Sequence, residues 1–393
     1  MKHRGMQHAS LNANPVDSLI CAVLRGESPP WSEPGGAAHV EAFLRRCEYH
    51  GVLAVLNERL HHSESWPADL RQTIHHRAIA QAVWELRHQQ VLTRVHAALA
   101  DIGVQPVLLK GTALAYALYP DPMLRARGDT DIIIPLSERR RVHDVLTTLG
   151  FELGVGVSGE FINYQASYTF TAADASKHSI DLHWRINNSE LLSHLFSYDE
   201  LLEHAISLSK LCPDALGVSP VYALLLACMH RNTHKQNPYY VDGVAYYSAD
   251  RLVWIYDIHL LAESLSSTQW HDVMRLARDK GLCATCLDGV ERARACFHTR
   301  SPDFVLAGLA GSGAKERPAT YLNASKLRQQ WMDFLALEGL SSQLRFLQEL
   351  VVPPAAYMRT KYPQAQSGWL PMFYARRALG GLAKRLKMIR QTP

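Results

Sequence analysis

The 393-residue sequence predicts an α+β fold, a small mixed β-sheet with helices on one face, flanked by N- and C-terminal helical regions. Three observations carry that reading. Apolar residues recur at helical spacing through the first hundred positions, short β-like runs begin after Val104, and the helical period returns from about residue 198.

The elements follow in order. Residues 15–99 read as helix after helix, with Ile20, Val23 and Leu24, then Val52, Val55 and Leu56, spaced by three and four. Pro29-Pro30 and Gly35-Gly36 punctuate the first part, and a long helical pattern over 74–102 ends near Gly103. Val107-Leu108-Leu109 is a short apolar strand, and Lys110-Gly111-Thr112 turns into a helix running through Tyr119. Pro120 and Pro122 stop that helix. Residues 130–135 read as a buried strand of isoleucines, after which Ser137 caps a helix to about Leu149. Residues 164–171 and 178–186 read as antiparallel strands. From 198 to about 297 the pattern is helical, with a loop rich in His, Asn and Tyr at 229–249. Residues 308–315 read as a flexible connection. The expected organisation is a helical region at 1–103, a sheet-bearing core at 104–190, a helical domain closing a cleft at 191–300, and a helical region with a basic tail at 301–393.

Composition narrows the class. Hydrophobic residues make up 47% and charged residues 20%, an ordinary balance for a soluble globular chain. A net charge of +4 suits anionic ligands, but it does not by itself argue for nucleic acid. Seven scattered cysteines make no disulfide framework and point to a reducing compartment. The first 18 residues lack the apolar stretch of a signal peptide, and the longest apolar run, 222–229, is too short to span a bilayer. The expectation is a cytoplasmic protein without a transmembrane segment.

The chemistry concentrates in LLKGTALAYALYPDPMLRARGDTDIIIP, residues 108–135. Alternate side chains of a strand share a face, so Asp129 and Asp131 project together. Crowded carboxylates repel and gain proton affinity unless a cation lies between them, and magnesium or manganese fits an all-oxygen site shared with phosphates. In HSIDLHWRI, residues 178–186, Asp181, His183 and Arg185 share one face. If that strand lies beside the first, three carboxylates converge and two ions could clamp an in-line displacement at phosphorus. Gly111 and Thr112 start a helix, where free backbone N–H groups favour an anion; Lys110 could add a point charge, and Arg125 either gives phosphate a planar fork or pins the turn. Arg127 reads instead as a solvated charge.

These residues resemble a known group. The order strand, Gly-Thr, helix, Asp-x-Asp strand and later single-Asp strand is similar to the DNA polymerase beta-like nucleotidyltransferase superfamily. More closely, the stretch resembles the bacterial "uncharacterised nucleotidyltransferase" family, whose pattern runs Leu-Lys-Gly, a Tyr-Pro-aspartate-Pro turn, and an Arg ahead of Gly-Asp-x-Asp. The likeness extends weakly over residues 50–380, through Asp181, ACMHRNTH with RLVWIYDIH, and PPAAYMRTKYP. It implies a metal-bound triad on Asp129, Asp131 and Asp181, phosphate handling at Gly111 and Thr112, and a nucleoside triphosphate as substrate. It also implies a setting among biosynthetic gene clusters and a cleft wall carrying His230, Arg251 and Asp257, residues that equally suit a buried polar network between helices. Thr112 stands where the wider superfamily has Ser or Gly, and sixteen residues, 113–128, precede the first Asp.

The resulting expectation is transfer of a nucleoside monophosphate to an unidentified acceptor (small molecule, peptide or protein), with nucleic acid not favoured. Kinase-type phosphoryl transfer at the same site and a non-catalytic nucleotide-binding module are the alternatives. A zinc site on His230, His234, Cys283 and Cys286 is disfavoured, because both cysteines lie in a helical run. GLAGSGAK, residues 308–315, lacks the Gly-Lys-Ser/Thr ending of a phosphate loop. The basic tail reads as a last amphipathic helix packed on the body, with anionic membrane or RNA contact as the lesser reading.

Overall fold

The computed structural model describes residues 14–31, 37–154, 161–235, 239–241, 244–246, 250–311, 316–362 and 369–377. Its centre is a seven-stranded mixed sheet: β1 (Val107–Leu108), β2 (Asp129–Ile133), β3 (Glu152–Leu153), β4 (Gln165–Thr171), β5 (Lys177–His183), β6 (Ile206–Ser207) and β7 (Leu216–Gly217), in the order β3-β4-β5-β2-β1-β7-β6. The central pair, β2 and β5, runs parallel with Asp131 opposite Asp181 and Ile133 opposite His183. β4 returns antiparallel along the other side of β5, and β1 lies antiparallel to β2.

Side-chain alternation explains why these segments pair. In β5, His178, Ile180 and Leu182 are buried, while Ser179 and Asp181 on the opposite face are only half-buried. β2 is exposed at Asp129 and buried from Thr130 to Ile133, as expected for a strand that enters the core from the mouth of a cleft.

Helices Pro15–Leu24, Ala37–His50, Leu53–Leu60 and Ala68–Asp101 precede the sheet, and the last ends where Gly103 takes a φ of 70°. After the sheet, helices Pro220–His234, Leu252–Ser264 and Cys283–Phe297 pack on one another. One continuous apolar core runs from Ile20 to Leu322, and a small separate cluster centres on Met358 and Phe373.

Several local expectations change. Ser137 caps no helix: it lies in a 3-10 turn, Leu136–Glu138, and the following helix starts at Arg139. The helix after β1 ends at Ala117 rather than Tyr119. β6 and β7 went unread because two-residue strands are too short to show a period. The helix Pro220–His234 occupies the start of the expected 229–249 loop. Gly308 lies inside the helix Asp303–Ala310, where an added Cβ would come within 2.6 Å of Met274 Sδ, so its smallness serves helix packing. Residues 312–315 of that connection and 378–393 of the basic tail lie outside the described residues.

Gly289 sets how closely two of the later helices approach. A Cβ there would stand 2.5 Å from Cys228 Sγ, which is fully buried. Gly289→Ala should therefore destabilise by about 1–3 kcal/mol through overpacking, although alanine favours the helix itself. In a Cys228→Ala background the same change should cost far less. Urea unfolding of the four proteins tests this, and an equal loss in both backgrounds would contradict the close-packing account.

Candidate active site

The register of β2 and β5 builds the site. One ligand atom each from Asp131, Asp181 and His183 lies within 4.8 Å of the others, and this is the one such group among the described residues that could hold a metal ion. Asp131 is its hub. Its Oδ1 accepts from Lys110 Nζ at 2.6 Å and from His183 Nε2 at 2.8 Å. Burial works to raise the Asp131 pKa, but the Lys110 and His183 charges and hydrogen bonds outweigh it and hold the carboxyl well below its usual range. Asp181 accepts from Ser167 Oγ at 2.6 Å and, more weakly, from Gln165 Nε2, both on β4.

Lys110 reaches Asp131 at a conformational cost. It opens the helix Lys110–Ala117 with a φ of 47°, a left-handed conformation that a side-chain-bearing residue adopts at about 1 kcal/mol or more. Asp129 stands apart from the cluster, exposed at the head of β2. Its dense protein surroundings, and the charges of Asp131 and Asp181, push its pKa up to about 6. Excess negative charge therefore collects at this end of the sheet, with Lys110 as its nearest counter-ion.

These groups open into a cavity of about 650 Å³. The sheet and the start of the Lys110–Ala117 helix form one side; the helices Pro220–His234 and Leu252–Ser264 form the other. From that second wall His230, His234 and Trp254 meet ring to ring, with centroids 4.5 Å apart for the two histidines and 5.3 Å for His230 and Trp254. Burial keeps both imidazoles neutral, and His234 is pushed down to about 4. Arg251 also lines the cavity; its Nε donates to the Tyr49 carbonyl and its guanidinium lies over Trp254.

Several residues singled out from the sequence sit otherwise than expected. Thr112 faces away from the cavity, fully buried, with its hydroxyl bonded to Thr130 Oγ1 at 2.9 Å. Arg125 and Asp257 line the cavity but are joined to each other, with Nη2 to Oδ2 at 2.6 Å, and Tyr119 adds a 2.8 Å bond to Asp257. Gly111 admits that guanidinium, since an added Cβ would lie 2.9 Å from Arg125 Nη1. Arg185 lies beyond the end of β5, bonded to Ser193 and His194 and stacked over Tyr164, and is not among the cavity-lining residues. Arg127 is not solvated: its side chain is 2% exposed and paired with Glu85. Cys283 and Cys286 are buried in the helix Cys283–Phe297, with Cys286 against Cys228, whereas His230 and His234 face the cavity.

Sequence reasoning missed the support behind the strand. His88 Nε2 bonds Thr130 Oγ1 at 2.7 Å, His88 meets His178 at 3.2 Å, and Trp84 stacks on both rings. Thr130, between the two aspartates, is thereby tied into the protein interior. Glu85 and His88 fall within the helical pattern of residues 74–102, but no local spacing linked that helix to the sheet.

The mixed sheet and its acidic cluster accord with a nucleotidyltransferase-like protein. The sequence profile of the family described as "Uncharacterised nucleotidyltransferase" matches residues 36–298, and the chain belongs to that family. Among solved structures, an antigenic nucleotidyltransferase-like protein from Paracoccidioides brasiliensis is similar at 14% identity, with a TM-score of 0.30. The match covers 54% of this chain and 96% of that one. No curated protein matches the chain.

The Arg125–Asp257 pair gives the site's sharpest stability test. Asp257→Ala strands a buried guanidinium and the Tyr119 hydroxyl, and should cost about 3–5 kcal/mol. Adding Arg125→Met should recover most of that loss, because the charge is removed with its partner. Chemical unfolding of the single and double variants checks both; a double variant no more stable than Asp257→Ala would contradict the pairing.

Proposed function

We propose that the chain is a divalent-metal-dependent nucleotidyltransferase. It moves a nucleoside monophosphate from a nucleoside triphosphate to an acceptor oxygen on a small molecule, peptide or protein, in the cytoplasm. The observation that carries this is the convergence of Asp131, Asp181 and His183 beside Lys110 at one end of a cavity of about 650 Å³.

The donor set fits a hard divalent ion. Two carboxylates with an adjacent imidazole suit magnesium or manganese, and Lys110 already places a cation on the oxygen that a metal would share. Asp129, Asp131 and Asp181 would hold the ion or ions, with His183 fixing the orientation of Asp131. Such an ion would neutralise phosphate charge and favour ionisation of the acceptor hydroxyl. Lys110 and the backbone N–H groups at Gly111 would receive the triphosphate. Arg125, held by Asp257, serves to position the Gly111 turn, and the wall of His230, His234, Trp254 and Arg251 faces the remainder of the nucleotide. The acceptor oxygen bonds to the α-phosphorus, the bond to the β-bridging oxygen breaks, the acceptor proton is released, and pyrophosphate leaves. Positioning and charge neutralisation supply the rate enhancement, so no covalent nucleophile is required.

Pyrophosphate release from nucleoside triphosphates in the presence of magnesium or manganese tests the reading. Asp129→Asn and Asp131→Asn should each lower turnover at least about a hundredfold, the loss expected when a metal-ligating charge is removed. Both should keep the wild-type circular dichroism spectrum; Asp129→Asn relieves crowding among carboxylates, whereas Asp131→Asn removes the charge paired with Lys110 and His183 and should lower the melting temperature. Retained activity in both variants would remove the metal-site assignment.

A further inference from the structure

We propose that the C-terminal helices form a docking face for anionic phospholipid membranes, separate from the cleft. The helix Lys326–Ala336 exposes Leu327, Trp331 and Leu335, spaced by four. Its acid points inward instead: Asp333 is buried and accepts from Ser189 Oγ and Tyr321 OH. The next helix, Leu340–Val351, packs on the first and exposes an apolar stripe as well. Leu340, Leu344, Leu347 and Val351 form one exposed stripe, with Leu340 at 78% and Leu344 at 66% exposure. Glu349, by contrast, accepts the Phe161 N–H, and Arg345 lies over the Phe161 ring. A helix on a water-facing surface turns its leucines inward and its charges outward. Here both helices turn leucines outward and their acids inward, leaving Lys326, Arg328 and Arg345 exposed beside the apolar stripes, and Trp369 and Met372 add further exposed apolar surface.

Charge selects the occupant. From Leu350 to Pro393 the sequence holds eight Lys and Arg and no Asp or Glu, although the whole chain is only +4. Arg377 Nη1 donates to the Leu350 carbonyl, which places that arginine at the carboxyl end of the leucine stripe. Apolar residues with interface-seeking tryptophans, beside an acid-free basic segment, match an anionic bilayer surface. A second copy of this chain would bring the same positive charges against themselves, which disfavours self-association through this face.

Vesicle co-sedimentation of the full chain tests the proposal. Binding to mixed phosphatidylcholine and phosphatidylglycerol vesicles should exceed binding to phosphatidylcholine alone by about tenfold or more, and should weaken with salt. The double substitution Leu344→Glu with Leu347→Glu lies on exposed positions, so the melting temperature should hold while vesicle binding falls by about tenfold. No binding to anionic vesicles would overturn the proposal. Equal binding by the variant would also overturn it, since the basic segment would then act on any polyanion without this face. A concentration-dependent dimer in sedimentation velocity that disappears in the variant would show the face to be a self-interface instead. None of these readouts depends on the activity of the cleft.

Discussion

The pinned carboxylate of Asp131 is the interaction on which the rest of the site depends. It is buried, it faces Asp181 across the parallel β2–β5 register, and its Oδ1 serves Lys110 and His183 together. A lone carboxylate there would be protonated or expelled, because burial opposes its charge. Two donors keep it ionised. One of them, Lys110, reaches it only from a left-handed backbone conformation. Local strain is thus tied to the cation that lies nearest the sheet's excess negative charge.

The cavity wall follows from how the flanking helices are held. Gly111 lets the Arg125 guanidinium approach the turn, and Asp257 on the helix Leu252–Ser264 receives it. That buried pair links the turn after β1 to the helical wall, so the geometry around Lys110 and the position of the wall cannot vary independently. Arg127 and Glu85 make a second such link, from the stretch before β2 back to the long helix Ala68–Asp101. Residues distant in sequence therefore fix the cleft through paired charges, while the apolar core supplies the bulk of the packing.

Much of this was legible in the sequence, for physical reasons that also mark the limit. The period-two alternation of residues 178–186 put Asp181 and His183 on one strand face, and the isoleucine run marked the strand of Asp131; that the two strands lie side by side was a condition of the reading, which the β2–β5 register supplies. Helix and strand textures gave the α+β class and most element positions. What stayed hidden is long-range. Arg125 meets Asp257 across 132 residues and His88 meets His178 across 90, and no local spacing encodes such pairs. Side-chain direction was hidden too. Thr112 starts the expected helix, yet its hydroxyl turns to Thr130, and Arg185 falls just past the end of β5, where alternation no longer applies.

The central claim is that Asp131 belongs to a divalent-metal site that takes up a nucleoside triphosphate. The direct measurement is electron paramagnetic resonance of manganese, titrated into the protein with a non-hydrolysable nucleoside triphosphate, for the wild type and for Asp131→Asn. The account predicts manganese bound in the wild type, tightened by the nucleotide, and weakened at least about tenfold in the variant. Equal manganese binding by both proteins would contradict it.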